Sequence, residues 1–133
     1  MTSRARIVAV ALAAFAAAAA PAPARASAGA TVTGAIEDAR SEAKEQTAFG
    51  IKVAQNGLWK EAAYRWERAV EIDPTYGAAW NNLAIAYEQR GDFDKAREAY
   101  EKAVTLEPEN LMFRQNYDLF KEINDRAKRR RDR

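Results

Sequence analysis

Sliding the 133-residue chain 34 positions along itself brings two stretches into register without a gap. Ile51 falls on Ile85, Gln55 on Gln89, Gly57 on Gly91 and Ala62 on Ala96. Glu67 falls on Glu101, Ala69 on Ala103, Val70 on Val104 and Pro74 on Pro108. Between these eight identities the chemistry is kept: Phe49 meets Leu83, Trp59 meets Phe93, Trp66 meets Tyr100 and Ile72 meets Leu106. A fixed period of this length constrains the chain more tightly than its composition does. Each copy must be one supersecondary unit whose apolar face is covered by its neighbour, so the units form a stack and not separate domains.

Each unit reads as two helices. In the second, Trp80, Leu83, Ala84 and Tyr87 recur at three-to-four spacing, an apolar stripe along one helix. Gly91 ends it, as a residue tolerant of positive φ does, and Asp92 suits the N-cap of the next helix. Phe93, Ala96, Tyr100, Ala103, Val104 and Leu106 form the second stripe. Pro108 cannot continue a helix and biases Glu107 toward extended backbone. The first unit repeats this grammar: Gly57, then Trp59, Ala62, Trp66, Ala69, Val70 and Ile72, closed by Asp73-Pro74.

These residues resemble the tetratricopeptide repeat, a 34-residue helix-turn-helix. The pattern Trp80-x-x-Leu83-Ala84-x-x-Tyr87, followed by Gly91, Phe93, Ala96, Tyr100, Ala103 and Pro108, matches that family, with Ala84 where glycine is frequent. Residues 43–76 are a more divergent copy: Gln46 stands for the usual Trp, Phe49-Gly50 for Leu-Gly and Val53 for the aromatic. The resemblance covers residues 43–76 and 77–110. It implies an all-α fold, a right-handed α-solenoid of two tetratricopeptide helix-turn-helix repeats plus a C-terminal capping helix.

The flanks are expected to differ from the repeats. Residues 29–42 read as an N-terminal extension leading into the first helix. A short flexible start covers residues 29–34, and one long helix runs from Ile36 to Asn56 with Glu37 and Asp38 in its first turn, where the helix dipole favours acidic groups. Residues 111–127 read as the capping helix, with Phe113, Tyr117 and Phe120 facing inward and Ile123 at the margin; residues 128–133 form a basic tail. Two repeats make a short stack, so self-association into a homo-oligomer through an open end is a second expectation.

Residues 1–28 carry the pattern of a secretory signal peptide: Arg4 and Arg6, an apolar run from Ile7 to Ala20, and Ala26-Ser27-Ala28 before Gly29. The run is 14 residues long, against about 20 for a bilayer span, which disfavours the alternative of a membrane anchor. The chain is accordingly expected to be exported, to a bacterial periplasm or envelope. Without Arg4, Arg6 and Arg25, 18 basic residues face 19 acidic ones, a net charge of −1. That balance, together with export, argues against nucleic acid as a partner.

The chain has no Cys and no His. This removes disulfide scaffolds, thiolate zinc sites and every mechanism built on an imidazole base. Asp92-x-Asp94 lacks the Gly and Glu that a calcium loop needs. Trp59, Trp66 and Trp80 fall on packing stripes. Glu67, Glu71, Glu98 and Glu101 lie on helix faces, many with a basic residue one turn away. A non-enzymatic chain with no cofactor and no metal is expected.

The resemblance implies where a partner would bind. In this family, positions 2, 5, 9, 12 and 13 of each repeat line a concave groove. Here these are Lys44, Thr47, Ile51, Ala54 and Gln55, then Ala78, Asn81, Ile85, Glu88 and Gln89. In the capping helix the equivalents are Met112, Gln115, Leu119 and Glu122. Ile51, Ile85 and Leu119 form an apolar spine edged by amides and Thr47. Such a surface suits an extended peptide or an amphipathic helix, whose backbone groups the amides satisfy. The same spine would be core if a terminal helix folded across it. Recognition of a C-terminal carboxylate by basic groove residues is not implied: Asn82 fits one such position, but Met112 and Asn116 stand where cations are needed. The tail holds Arg126, Lys128, Arg129, Arg130, Arg131 and Arg133 against Asp132, a net +5, so residues 29–125 carry −6. The tail is either a solvated helix end complementing the dipole or a contact for an anionic membrane surface or acidic partner.

Overall fold

The computed structural model describes residues 31–133, which form five helices in chain order. They are α1 (Val32–Gln55), α2 (Trp59–Ile72), α3 (Gly77–Gln89), α4 (Phe93–Leu106) and α5 (Leu111–Arg131). The expected leader at residues 1–28 lies outside the described residues. No helix among the described residues is long and apolar enough to cross a membrane.

The two turns inside the hairpins are built alike. Gly57 and Gly91 adopt φ of 76° and 78°, the left-handed region that side chains penalise. The amide after each glycine donates back into the preceding helix, Leu58 to the Val53 carbonyl at 3.1 Å and Asp92 to the Tyr87 carbonyl at 2.9 Å. The glycine amides donate to Ala54 and Glu88. This is the Schellman arrangement, which satisfies the last carbonyls of α1 and α3 and reverses the chain.

Helices pack closely because alanine fills the seams. Ala43, Ala62, Ala63, Ala69, Ala79 and Ala86 are buried in one cluster with Trp66, Val70 and Leu83. A second cluster joins Ala84, Ala96 and Ala99 to Tyr100 and Phe120. Trp80 and Tyr87 pack against both clusters, so the core runs continuously from α1 to α5. This is the all-α repeat stack that the period implies.

Several boundaries differ from expectation. α1 starts at Val32, four residues before Ile36, because Thr31 caps it by accepting the Gly34 amide at 3.4 Å. Glu37 and Asp38 therefore lie in the second turn, not the first. Asp92 occupies the N-cap position of α4 without a side-chain cap bond and faces Arg90 at 3.6 Å instead. Asn110 does cap α5, accepting the Phe113 amide at 3.3 Å. α5 also continues to Arg131, taking most of the basic tail into the helix. Its register partner for Gly57 and Gly91 is Asp125, so nothing in the sequence turns it there. Phe113 and Phe120 are buried as expected, whereas Ile123 is exposed.

Candidate protein-binding groove

The first helices of the pairs lie on the inside of the stack. α1 packs on α2 and also reaches α3, whereas no comparable contact joins α2 to α4 among the described residues. The inner surface is thus set by α1, α3 and the start of α5.

On that surface the expected residues divide. Ile51 is 43% exposed and Leu119 57%, and Met112 of α5 is exposed too. Ile85, between them in register, is half-buried against the second cluster. Lys44, Gln55, Gln89 and Gln115 are exposed. Among the described residues the two ends of the spine, Ile51 and Leu119, are exposed, whereas its middle, Ile85, takes part in the packing.

Thr47 and Asn81 correct the expectation. Both hold position 5, and both are turned inward, at 3% and 2% exposure. The Thr47 hydroxyl donates to the Ala43 carbonyl at 2.8 Å, and the Thr47 carbonyl accepts the Trp66 indole N–H at 3.1 Å. Asn81 accepts from the Asn116 amide nitrogen at 3.1 Å, which ties α3 to α5. A buried polar side chain must find partners, and these two find them inside the stack. They tie the inner helices into the stack and do not reach the surface.

Glu88 is half-buried and accepts the Tyr100 hydroxyl at 3.0 Å. Burial and the neighbouring Glu88 charge push the Tyr100 phenol far above its ordinary range, so it stays a neutral donor. Tyr87 is arranged similarly: burial, then its bond to Glu67 at 2.9 Å, raises its phenol to about 12. These pairs lock the second helices against the inner ones.

One cluster has no trace in the repeat pattern. The Arg40 guanidinium pairs with the buried Asp73 carboxylate, donates to the Thr75 hydroxyl at 2.8 Å and lies over the Tyr76 ring. Thr75 also donates twice to Asp73, from its amide at 3.0 Å and its hydroxyl at 2.7 Å. Burial opposes ionisation of Asp73, but the bonds from Thr75 and Arg40 outweigh it and hold the carboxyl below its ordinary value. The clamp fixes the N-terminal extension of α1 to the α2–α3 loop. The run Asp73-Pro74-Thr75 is a turn signal in the sequence; its partner 33 residues away is not.

Set against known proteins, residues 77–110 match the tetratricopeptide repeat family and residues 53–91 match a TPR repeat family. The chain is similar to a tetratricopeptide repeat domain-containing protein, PYG7, chloroplastic, of Arabidopsis thaliana. They are 29% identical over 85 residues, 64% of this chain and 28% of that protein. It is similar to the photosystem I assembly protein Ycf3 of Rippkaea orientalis, 29% identical over 52% of this chain and 48% of the relative. It is also similar to the heat-shock protein cognate co-chaperone sgt12 of Aspergillus fumigatus, 38% identical over 39% of this chain and 15% of the relative. The chain thus spans less than half the length of each of these relatives.

Proposed function

From its membership of the tetratricopeptide repeat family, to which this chain belongs, we propose that it is an exported, non-enzymatic adaptor that binds a peptide or helix of another protein in its concave groove. Solenoids of this family present extended surfaces to other proteins, and protein interaction or assembly is the role the family supports. The names of the relatives fit that role, one being a photosystem assembly protein and another a co-chaperone. The observation that carries the groove reading is the exposure of Ile51 and Leu119 on the inner surface, with Gln55, Gln89 and Gln115 open beside them. Apolar anchors give contact area, and the amides pair with the backbone of a bound segment. The mechanism is rigid display of a surface with no covalent step. Export rests on the sequence pattern of residues 1–28.

The test is capture in the cell. The tagged full chain, expressed in a bacterium, is fractionated and crosslinked beside the double variant Ile51→Glu, Leu119→Glu. A chain recovered from the envelope with one dominant protein, lost in the variant at unchanged helical content, supports the reading. Equal recovery of that protein by the variant refutes the groove as its site.

A second reading is a self-associating assembly factor held to an anionic membrane by the basic tail. It draws on the open end of the stack, where Phe49 is 45% and Tyr64 52% exposed, with the Arg65 guanidinium over both rings at 4.3 and 5.7 Å. Mass that rises with concentration, and vesicle binding abolished by deletion of residues 126–133, would favour it. A monomer indifferent to anionic vesicles would remove it.

A further inference from the structure

Beyond the groove spine, the continuation of α5 creates a second feature that the repeat does not specify. Because α5 does not turn at Asp125, its last two turns continue alongside the α3–α4 turn and the start of α4, and border an open cleft of about 470 Å³. Phe93, Phe120 and Ile123 give its apolar walls, Arg130 and Arg131 lie on the α5 side, and Glu88 lines it from α3. Phe93 and Ile123 are 44% and 53% exposed, while the buried Phe120 forms the floor. Trp59, the register equivalent of Phe93, is half-buried against the first cluster, so the first hairpin does not repeat the exposure of Phe93.

The cations beside the cleft are arranged, not scattered. Arg126, Arg129, Arg130 and Arg133 follow the helical period and line an adjoining hollow of about 290 Å³ that contains no acidic residue. Arg126 pairs with Glu122; among the described residues no carboxylate pairs with Arg129, Arg130, Arg131 or Arg133. Cations complementing the helix dipole need only be near the last turn, on any face. A stripe that runs into an apolar cleft has a further use.

We propose that this cleft is the docking site for an acidic peptide of a partner protein, which seats one apolar side chain against Phe93, Phe120 and Ile123 and lays the following carboxylates on the arginine stripe. The inference rests on the reading of the chain as a protein-binding adaptor and gives that partner its chemistry. Guanidinium groups match carboxylates in a planar fork, and a positive stripe attracts a negative segment before contact. The Glu88 carboxylate, anchored by Tyr100, accepts a backbone N–H from the peptide. A membrane carries the same negative charge, but a peptide offers a single apolar side chain of a size that an open cleft of about 470 Å³ accommodates.

The probe is a labelled synthetic peptide with one Phe followed by four Glu, titrated into the full chain by fluorescence anisotropy. Binding should weaken about tenfold when the Phe is replaced by Ala, and by a similar factor in the variant Ile123→Gln. It should vanish when the Glu residues are replaced by Gln, or in the variant Arg130→Glu, Arg131→Glu. Ile123, Arg130 and Arg131 are exposed, so these changes leave the helical circular dichroism intact. No binding of the Phe–Glu peptide overturns the proposal. So does equal binding of the Ala peptide, which would make the stripe a general anion surface. Phosphatidylglycerol vesicles that displace the peptide from the wild-type chain, and do not bind the arginine variant, would assign the stripe to a membrane and also overturn it. If Ile51→Glu with Leu119→Glu abolishes peptide binding while Ile123→Gln does not, the cleft is not the site and the groove reading survives. If neither set of changes matters, the cleft proposal fails, and the groove reading is decided separately by capture of its partner in the cell.

Discussion

The two hairpins solve one packing problem with two different residue pairs. In the first, Trp66 of α2 lies against α1 with its indole N–H on the Thr47 carbonyl, and Gly50 sits beneath the ring. A methyl group added at Gly50 would collide with several indole atoms. In the second, Tyr100 takes the place of Trp66 and Ala84 the place of Gly50. The smaller ring leaves room for the methyl, and its hydroxyl reaches past it to Glu88. Large ring with glycine, smaller ring with alanine: the volume at the seam is kept while the members change. Interiors packed to crystal-like density enforce this kind of compensation. The exchange also has a functional side, because the Tyr100 solution places a hydroxyl on Glu88 at the edge of the groove and the Trp66 solution buries its polar atom within the stack.

The pairing of ring with seam residue is most vulnerable at Gly50. Gly50→Ala should cost about 3 kcal/mol, since the added methyl collides with the ring of a buried indole. Adding Trp66→Tyr should recover part of that loss, giving a favourable coupling of about 1 kcal/mol in a chemical-denaturation double-mutant cycle. Simple additivity of the two changes would show that the pairing carries no weight.

The Arg40 clamp, which only the first hairpin carries, comes next. Arg40→Ala should destabilise by about 2 kcal/mol, because Asp73 remains buried with only Thr75 to hold its charge. The pH dependence gives a second handle on the clamp. The folded Asp73 carboxyl sits below its unfolded value near 3.8, so its contribution is whole above that value and is lost as pH falls through the folded one. Wild type should therefore lose stability more steeply than Asp73→Asn below about pH 4. Parallel stability curves would show that the pair contributes nothing.

Tyr87 separates the hairpins at the alkaline end. Its phenol is raised to about 12, so the contribution of the neutral form is whole below the unfolded value near 10 and is lost as pH rises through the folded one. Tyr87→Phe should cost about 1 kcal/mol at neutral pH and remove a high-pH step from an ultraviolet difference titration. The smallest stability effect is expected for Ile51→Glu with Leu119→Glu, within about 0.5 kcal/mol, because both side chains already face solvent. A larger loss would show that the spine is packed.

The period carried most of the fold into the sequence. Glycine turns, aromatic stripes and alanine seams are local choices repeated at 34 residues, so they read directly. The inward turn of Thr47 and Asn81 did not read, because position along a helix fixes a direction but not what covers it. Asn81 is covered by Asn116 from α5, a contact across 35 residues. The Arg40–Asp73 pair was hidden for the same reason. The length of α5 was in principle legible, since Asp125 stands where a glycine turn would be. The cleft it creates was not, because it depends on Phe93 and Ile123 from separate helices both staying uncovered. The groove was legible only through the family, as a set of positions, and the structure sorts those positions into surface and support.

On the adaptor reading, partners meet this protein on the inner surface of the stack. A photo-crosslinking amino acid placed singly at Ile51, Ile85 and Leu119, and for contrast at the exposed Lys60, Arg68 and Lys102 of α2 and α4, tests it most directly in the living cell. One crosslinked product shared by the three inner positions and absent from the three outer ones is expected. A product formed from α2 and α4 positions, with the inner ones silent, would contradict it.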